Sequence, residues 1–161
     1  EPNADGARTA GSYRYLPSGA ANDLGAEIYD LLVDTTYSLK SAYRRNGTWI
    51  MNSATAGVLR KVRDGEDRPM WADGMAQGQP APLLGYPVSI VESLDDIGTD
   101  ALPIAFGDFR QAYVMAQHGG LRMTVDDNVT TPGFVKFYIR RRVGGIVYDN
   151  DAVRVIKCAV S

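Results

Sequence analysis

The chain has 161 residues, with 17 basic and 19 acidic side chains, a net charge of −2 and a single cysteine. A hydrophobic content of 45% with 22% charged residues is ordinary for a soluble globular protein of one domain or two small ones. The near-neutral charge gives the whole molecule no electrostatic footprint for nucleic acid, and one cysteine excludes an internal disulfide or a thiolate metal cage.

Neither a signal-peptide pattern nor an apolar run of membrane-spanning length is present, which predicts a protein neither exported nor inserted in a membrane. Residues 1–11 are polar, small and turn-prone, and they lack an initiator Met, as at the trimmed start of a longer protein. Ser12 to Leu16 alternates weakly as a short strand, broken by Pro17-Ser18-Gly19. Asn22 or Asp23 is placed to cap a helix running to about Ala42. Leu24, Ile28, Leu31, Leu32, Thr35, Leu39 and Ala42 recur at spacings of three and four, so that helix buries one stripe. Asn46-Gly47 stops it.

Thr48 to Met51 reads as a short buried strand, and Asn52 caps a second helix from Ser53 to about Arg63. Its Ala56, Leu59 and Val62 face inward, while Arg60, Lys61 and Arg63 stay in solvent. Asp64-Gly65 is a turn. A loop between Pro69 and Pro82 follows, with Met70 and Trp71 as its anchors. Leu83 to Val91 is a turn running into a strand, Glu92 to Asp100 an acidic connection, and Pro103 to Asp108 another strand. From Phe109 the pattern is continuous β: Ala112 to Ala116, a turn at His118-Gly119-Gly120, Leu121 to Val125, then a turn at Asp126-Asp127-Asn128. Val153 to Cys158 returns as a final strand that makes Cys158 a small core residue. Two helices with strands in mixed order predict an α+β layer fold with a boundary near Asp108 to Arg110.

No motif for catalysis stands out. The loop glycines Gly74, Gly78 and Gly85 lack the Lys-Ser/Thr of a phosphate cradle, and Asp126-Asp127-Asn128 lacks the Gly and distant Glu of a calcium loop. His118, the one histidine, has no identifiable nucleophile or carboxylate held against it. No cofactor or metal is predicted.

The most informative stretch is Gly133 to Val143, continued by Gly144-Gly145-Ile146-Val147-Tyr148. Strand alternation sends Val135, Phe137, Ile139 and Val143 one way, and Phe134, Lys136, Tyr138, Arg140 and Arg142 the other. Arg141 alone breaks the apolar side. One face is therefore expected to feed a core while the other meets something outside. Solvated strand face, phosphate contact and pairing with acidic residues of a neighbouring copy are the three readings of Lys136, Arg140, Arg141 and Arg142. Planar Arg forks suit carboxylates, and Asp95 and Asp96 in the Glu92 to Asp100 segment are the candidate partners.

Three blocks taken in order, Leu83-Leu84-Gly85-Tyr86-Pro87-Val88, Ile104 to Phe109 and Phe134 to Gly145, resemble the C-terminal half of a tailed-bacteriophage major capsid protein of the Hong Kong 97 type. The helix ending in Leu39-Lys40-Ser41-Ala42-Tyr43-Arg44 and the Trp49-Ile50-Met51-Asn52 strand fit as well. The resemblance implies a lead-in over residues 1–19, an axial domain of 20–108 plus 152–161, and a β-rich peripheral domain of 109–151 with the long strand in its sheet. The family's N-terminal arm, extended loop and most of its spine helix precede this region and are expected to be missing here. The implied function is a non-enzymatic structural subunit of an icosahedral phage or prophage shell, self-assembling into capsomers that enclose packaged double-stranded DNA. Its implied partners are copies of itself, the DNA, and a portal with a scaffold or protease. Its implied location is the virion capsid, assembled in the cytoplasm of a bacterial host.

Some members of that family cross-link by an isopeptide bond between a loop lysine and a long-strand asparagine, assisted by a glutamate further along. Matching the strand places Phe137 and Gly144 at the latter two positions, so the resemblance implies a noncovalent shell. An encapsulin-like protein compartment, and a small-molecule enzyme using His118 and the Met70 to Gln79 loop, are the alternatives.

Overall fold

The computed structural model describes residues 3–4, 11–25, 27–63, 66–71, 81–126 and 133–160. The Asp64-Gly65 and Asp127-Asn128 turns and positions 72–80 of the loop lie outside the described residues. In chain order the elements are β1 (Asn3–Ala4), β2 (Arg14–Pro17), α1 (Ile28–Ser38), α2 (Ser41–Arg44), β3 (Thr48–Met51), α3 (Ser53–Lys61), β4 (Val88–Ile90), β5 (Ile104–Gly107), α4 (Phe109–Ala112), β6 (Tyr113–Asp126), β7 (Lys136–Val147) and β8 (Val153–Lys157). Six strands form one mixed sheet in the order β1-β2-β8-β5-β3-β4, while β6 and β7 pair only with each other.

Alternation along the central strands sorts the core onto two faces. Trp49 sits opposite Phe106, Met51 opposite Ile104, and Ile104 opposite Ile156, all buried on the face covered by α1 and α3. The Trp49 ring lies 4.4 Å from that of Phe106, and its indole N–H donates to the Leu83 carbonyl at 3.2 Å. Ala105, Val153 and Val155 fill the other face with Ala112 and Ala152. Cys158 is fully buried in the larger cluster, where burial pushes its thiol pKa up.

The single helix expected from Asp23 to Ala42 is not formed. Its first residues are a loop instead: the Ser18 hydroxyl donates to the Asp23 and Ala20 carbonyls, and the Asp23 carboxylate accepts from the Leu24 N–H. Gly25 follows in left-handed backbone at φ +80, so helical geometry begins only at Ile28. At the other end the hydroxyls of Thr35, Thr36 and Ser38 donate to carbonyls of the preceding turn, and Leu39 and Lys40 turn extended. Leu39 enters the core, but Ala42, expected on the same stripe, is exposed.

The second helix follows expectation, ending two residues early at Lys61. Asn52 Oδ1 accepts from the Thr55 N–H at 2.7 Å, and Ala56 and Leu59 are buried. The other end of the same side chain ties down the acidic connection: Asn52 Nδ2 donates to Asp96 Oδ1 at 2.6 Å and to the Leu94 and Asp95 carbonyls. Asn52→Ala should therefore lower stability by about 2 kcal/mol, more than an N-cap alone, as read from the urea midpoint at unchanged slope. Of the two expected loop anchors only Trp71 is buried, its indole donating to the Ala81 carbonyl at 3.2 Å; Met70 is 38% exposed.

Candidate assembly surface

Asp108 begins the region that leaves the sheet. Its N–H donates to the Ala152 carbonyl, and its buried carboxylate caps α4 by accepting from the Arg110 and Gln111 N–H groups. Residues 109–112, expected to be strand, are therefore a single helical turn. Tyr148 N–H donates back to the Ala112 carbonyl, so both legs of the β6–β7 pair are tied at one point. Behind it the Asp151 carboxylate, almost fully buried, pairs with Arg14 of β2 at 3.5 Å and with Lys40 at 3.3 Å. Tyr43 Oη donates to Asp149 at 2.6 Å. These bonds hold the root of the ribbon on the six-stranded sheet.

Beyond the root, 14 residues of β6 and 12 of β7 form a two-stranded ribbon. At ~3.3 Å per residue it reaches roughly 40 Å. The turn expected at His118-Gly119-Gly120 is absent: β6 runs straight through it, and both of its halves pair with β7. The glycines instead absorb a register shift between His118 and Arg122.

Residues directly opposite one another in the register share a face. Val125 lies opposite Phe137, Met123 opposite Ile139, Gln117 opposite Val143 and Met115 opposite Gly145. That face is apolar, and Arg141 lies on it with its guanidinium donating to Gln117 Oε1. On the other face Thr124 lies opposite Tyr138, Arg122 opposite Arg140 and His118 opposite Arg142, with Lys136 nearer the tip. The division of β7 into apolar and cationic sides is as its alternation predicts.

The expected burial is not. Met115, Met123, Val125, Phe137, Ile139 and Val143 are 50–75% exposed, because no other described element packs over the ribbon. A two-stranded ribbon is marginal in water, and a contiguous apolar face of this size marks a surface made to be covered.

Of the acidic candidates, neither lies on the ribbon. Asp95 and Asp96 sit in the β4–β5 loop, exposed, with Asp95 Oδ2 accepting from the Leu102 N–H and Asp96 held by Asn52. The structure adds Arg122 to the cationic face. Reading the alternation through the two glycines, rather than stopping it there, places Arg122 with Arg140. No group of three or more His, Cys, Asp or Glu could hold a metal ion among the described residues. Among those residues no helix is long and apolar enough to cross a membrane.

The profile of the phage capsid family matches residues 5–158. Among solved structures, the capsid of an empty GTA particle is 43% identical, with a TM-score of 0.81 over 98% of this chain and 54% of that one. The capsid of the native GTA particle matches at the same identity, TM-score and share of this chain, over 53% of its own. A protein of Gordonia phage Cozz, 21% identical with a TM-score of 0.50 over 90% of this chain and 49% of that one, shares the fold. The chain thus spans about half the length of the solved capsid chains it matches. No curated protein sequence matches it.

Proposed function

The chain belongs to the phage capsid family, and from that premise we propose that it is a structural subunit of an icosahedral phage or prophage shell, assembling with copies of itself around packaged double-stranded DNA. The observation that carries this reading is the ribbon: a long two-stranded arm, rooted in polar bonds on a folded sheet, whose apolar face no other described element covers. Residues 20–108 with 152–161 act as the axial domain around the capsomer axis, and 109–151 as the peripheral domain. Arg141 and its apolar neighbours lie at the seam with the rest of the shell. Modest contacts suffice there, because multivalency multiplies each across every copy. Portal and scaffold or protease complete the partner set, and the virion capsid is the location, reached by assembly in the host cytoplasm.

Cohesion in this shell is noncovalent. Phe137 and Gly144 offer neither the amide nor the carboxylate that a strand-borne isopeptide bond needs. Electron microscopy of the full-length protein expressed alone should show closed particles or capsomer rings, and a denaturing gel of the same sample a single monomer band. Dispersed monomers at all concentrations would remove the shell reading. A ladder of covalent multimers would remove the noncovalent one.

A further inference from the structure

At the register shift, five residues of β6, His118–Arg122, lie against three of β7, Arg140–Arg142. The surplus opens a recess of about 260 Å³ bordered by His118, Gly119, Gly120, Arg122 and the run Arg140, Arg141 and Arg142. Gly119 sits at φ +69, in the left-handed backbone that only glycine adopts without cost. Neither Gly119 nor Gly120 has a heavy atom within 4 Å of where a Cβ would stand, so main chain as well as side chain is open to an incoming group.

Among the described residues the charge there is uncompensated. Arg122 lies directly across from Arg140, and like charges opposite one another on a sheet repel. Among the described residues, no carboxylate forms an ion pair with Arg122, Arg140 or Arg142. Between 113 and 147 the sequence holds five basic and two acidic side chains, although the whole chain is at −2. The near-neutral total therefore hides a local cationic field. Guanidinium forks bind phosphate oxygens bidentately, and an anion seated between the two strands relieves the repulsion across them. The candidate carboxylates for a neighbouring copy, Asp95 and Asp96, already accept hydrogen bonds within this chain, Asp95 from the Leu102 N–H of its own loop and Asp96 from the Asn52 side chain.

We propose that this recess is a phosphate-binding site, taking either a phosphodiester of a nucleic-acid backbone or a free phosphate such as pyrophosphate. The site rests on the ribbon's geometry and not on the shell reading, which assembly tests separately.

The test compares Arg122→Ala/Arg140→Ala with Arg45→Ala/Lys61→Ala, a pair removing the same charge from exposed positions off the ribbon. Anisotropy of a labelled DNA duplex is measured against salt, and pyrophosphate binding by calorimetry. The ribbon variant should lose about tenfold in duplex affinity and flatten the log–log salt slope by about two, while the control stays within about twofold of wild type. Duplex binding without pyrophosphate binding assigns the phosphate to nucleic acid. Pyrophosphate bound with the same loss in the ribbon variant assigns it to free phosphate as well. Equal losses in both variants, no binding of either probe, or tighter binding of a peptide of residues 92–100 than of the duplex each overturn the proposal.

Discussion

Gly107→Ala is expected to lower stability by about 3 kcal/mol or more, enough to leave a domain of ordinary stability largely unfolded at moderate urea. Gly107 closes β5 at φ +153, and a Cβ there would stand 2.2 Å from the Ala152 carbonyl oxygen and 2.7 Å from Val153 Cα. Both are backbone atoms of the neighbouring strand and its approach, so no side-chain rotation relieves the overlap. Relief requires β8 to move away from β5, which breaks the pairing of Gly107 with Val153 and the Asp108 N–H bond to Ala152. That bond is one of those rooting the ribbon, so the damage reaches both sheets. Gly57→Ala is the contrasting substitution. It lies inside α3 with nothing within 4 Å of its Cβ position, and alanine there should add about 0.5–1 kcal/mol. Urea denaturation followed by circular dichroism measures both. A Gly107→Ala midpoint equal to wild type would mean that the β5–β8 contact is looser than described.

Phe137→Asp combined with Ile139→Asp should abolish particle formation by the full-length protein while leaving the thermal midpoint of the isolated chain within a few degrees. Both side chains are more than half exposed, at 62% and 56%, so the subunit loses little by the exchange. A shell that covers them loses about 1.5–3 kcal/mol of burial for each and must also bury two unpaired carboxylates. Repeated at every copy, that cost exceeds what weak contacts sustain. Electron microscopy measures assembly, and calorimetry measures folding. Intact particles from the double variant would place the seam elsewhere on the molecule.

Much of the fold can be read from local chemistry. Asn52 before Ser53 marks the start of α3, alternation marks Thr48–Met51 and Ile104–Gly107, and Leu83 to Tyr86 closes as a turn because Leu84 and Gly85 both take positive φ. Elsewhere hydroxyls and glycines override periodicity. Ser18, Asp23 and Gly25 delay α1, and Thr35, Thr36 and Ser38 end it, although the apolar spacing runs past both points. His118-Gly119-Gly120 has the composition of a hairpin turn, since only the partner strand reveals that the chain carries straight on. Alternation sorts the faces of β7 correctly, but exposure depends on what lies over a strand, and strand-local sequence carries no such information. Arg122 comes into reach only if the alternation is carried through Gly119-Gly120 onto the cationic face; its direct neighbour Arg140 is set by register.

The position of β8 between β2 and β5 bears on how the molecule comes to be built. Arg14 of β2 is matched with Arg154 of β8, so the two halves of the sheet have no direct bond until the chain beyond the ribbon has been made. During translation both strand edges wait open while the arm emerges from the ribosome. Closure over so long a loop is slow, and a waiting edge can capture a strand from another nascent copy. Production of this protein is therefore most vulnerable to chaperone shortage and heat in the interval before residues 153–157 emerge.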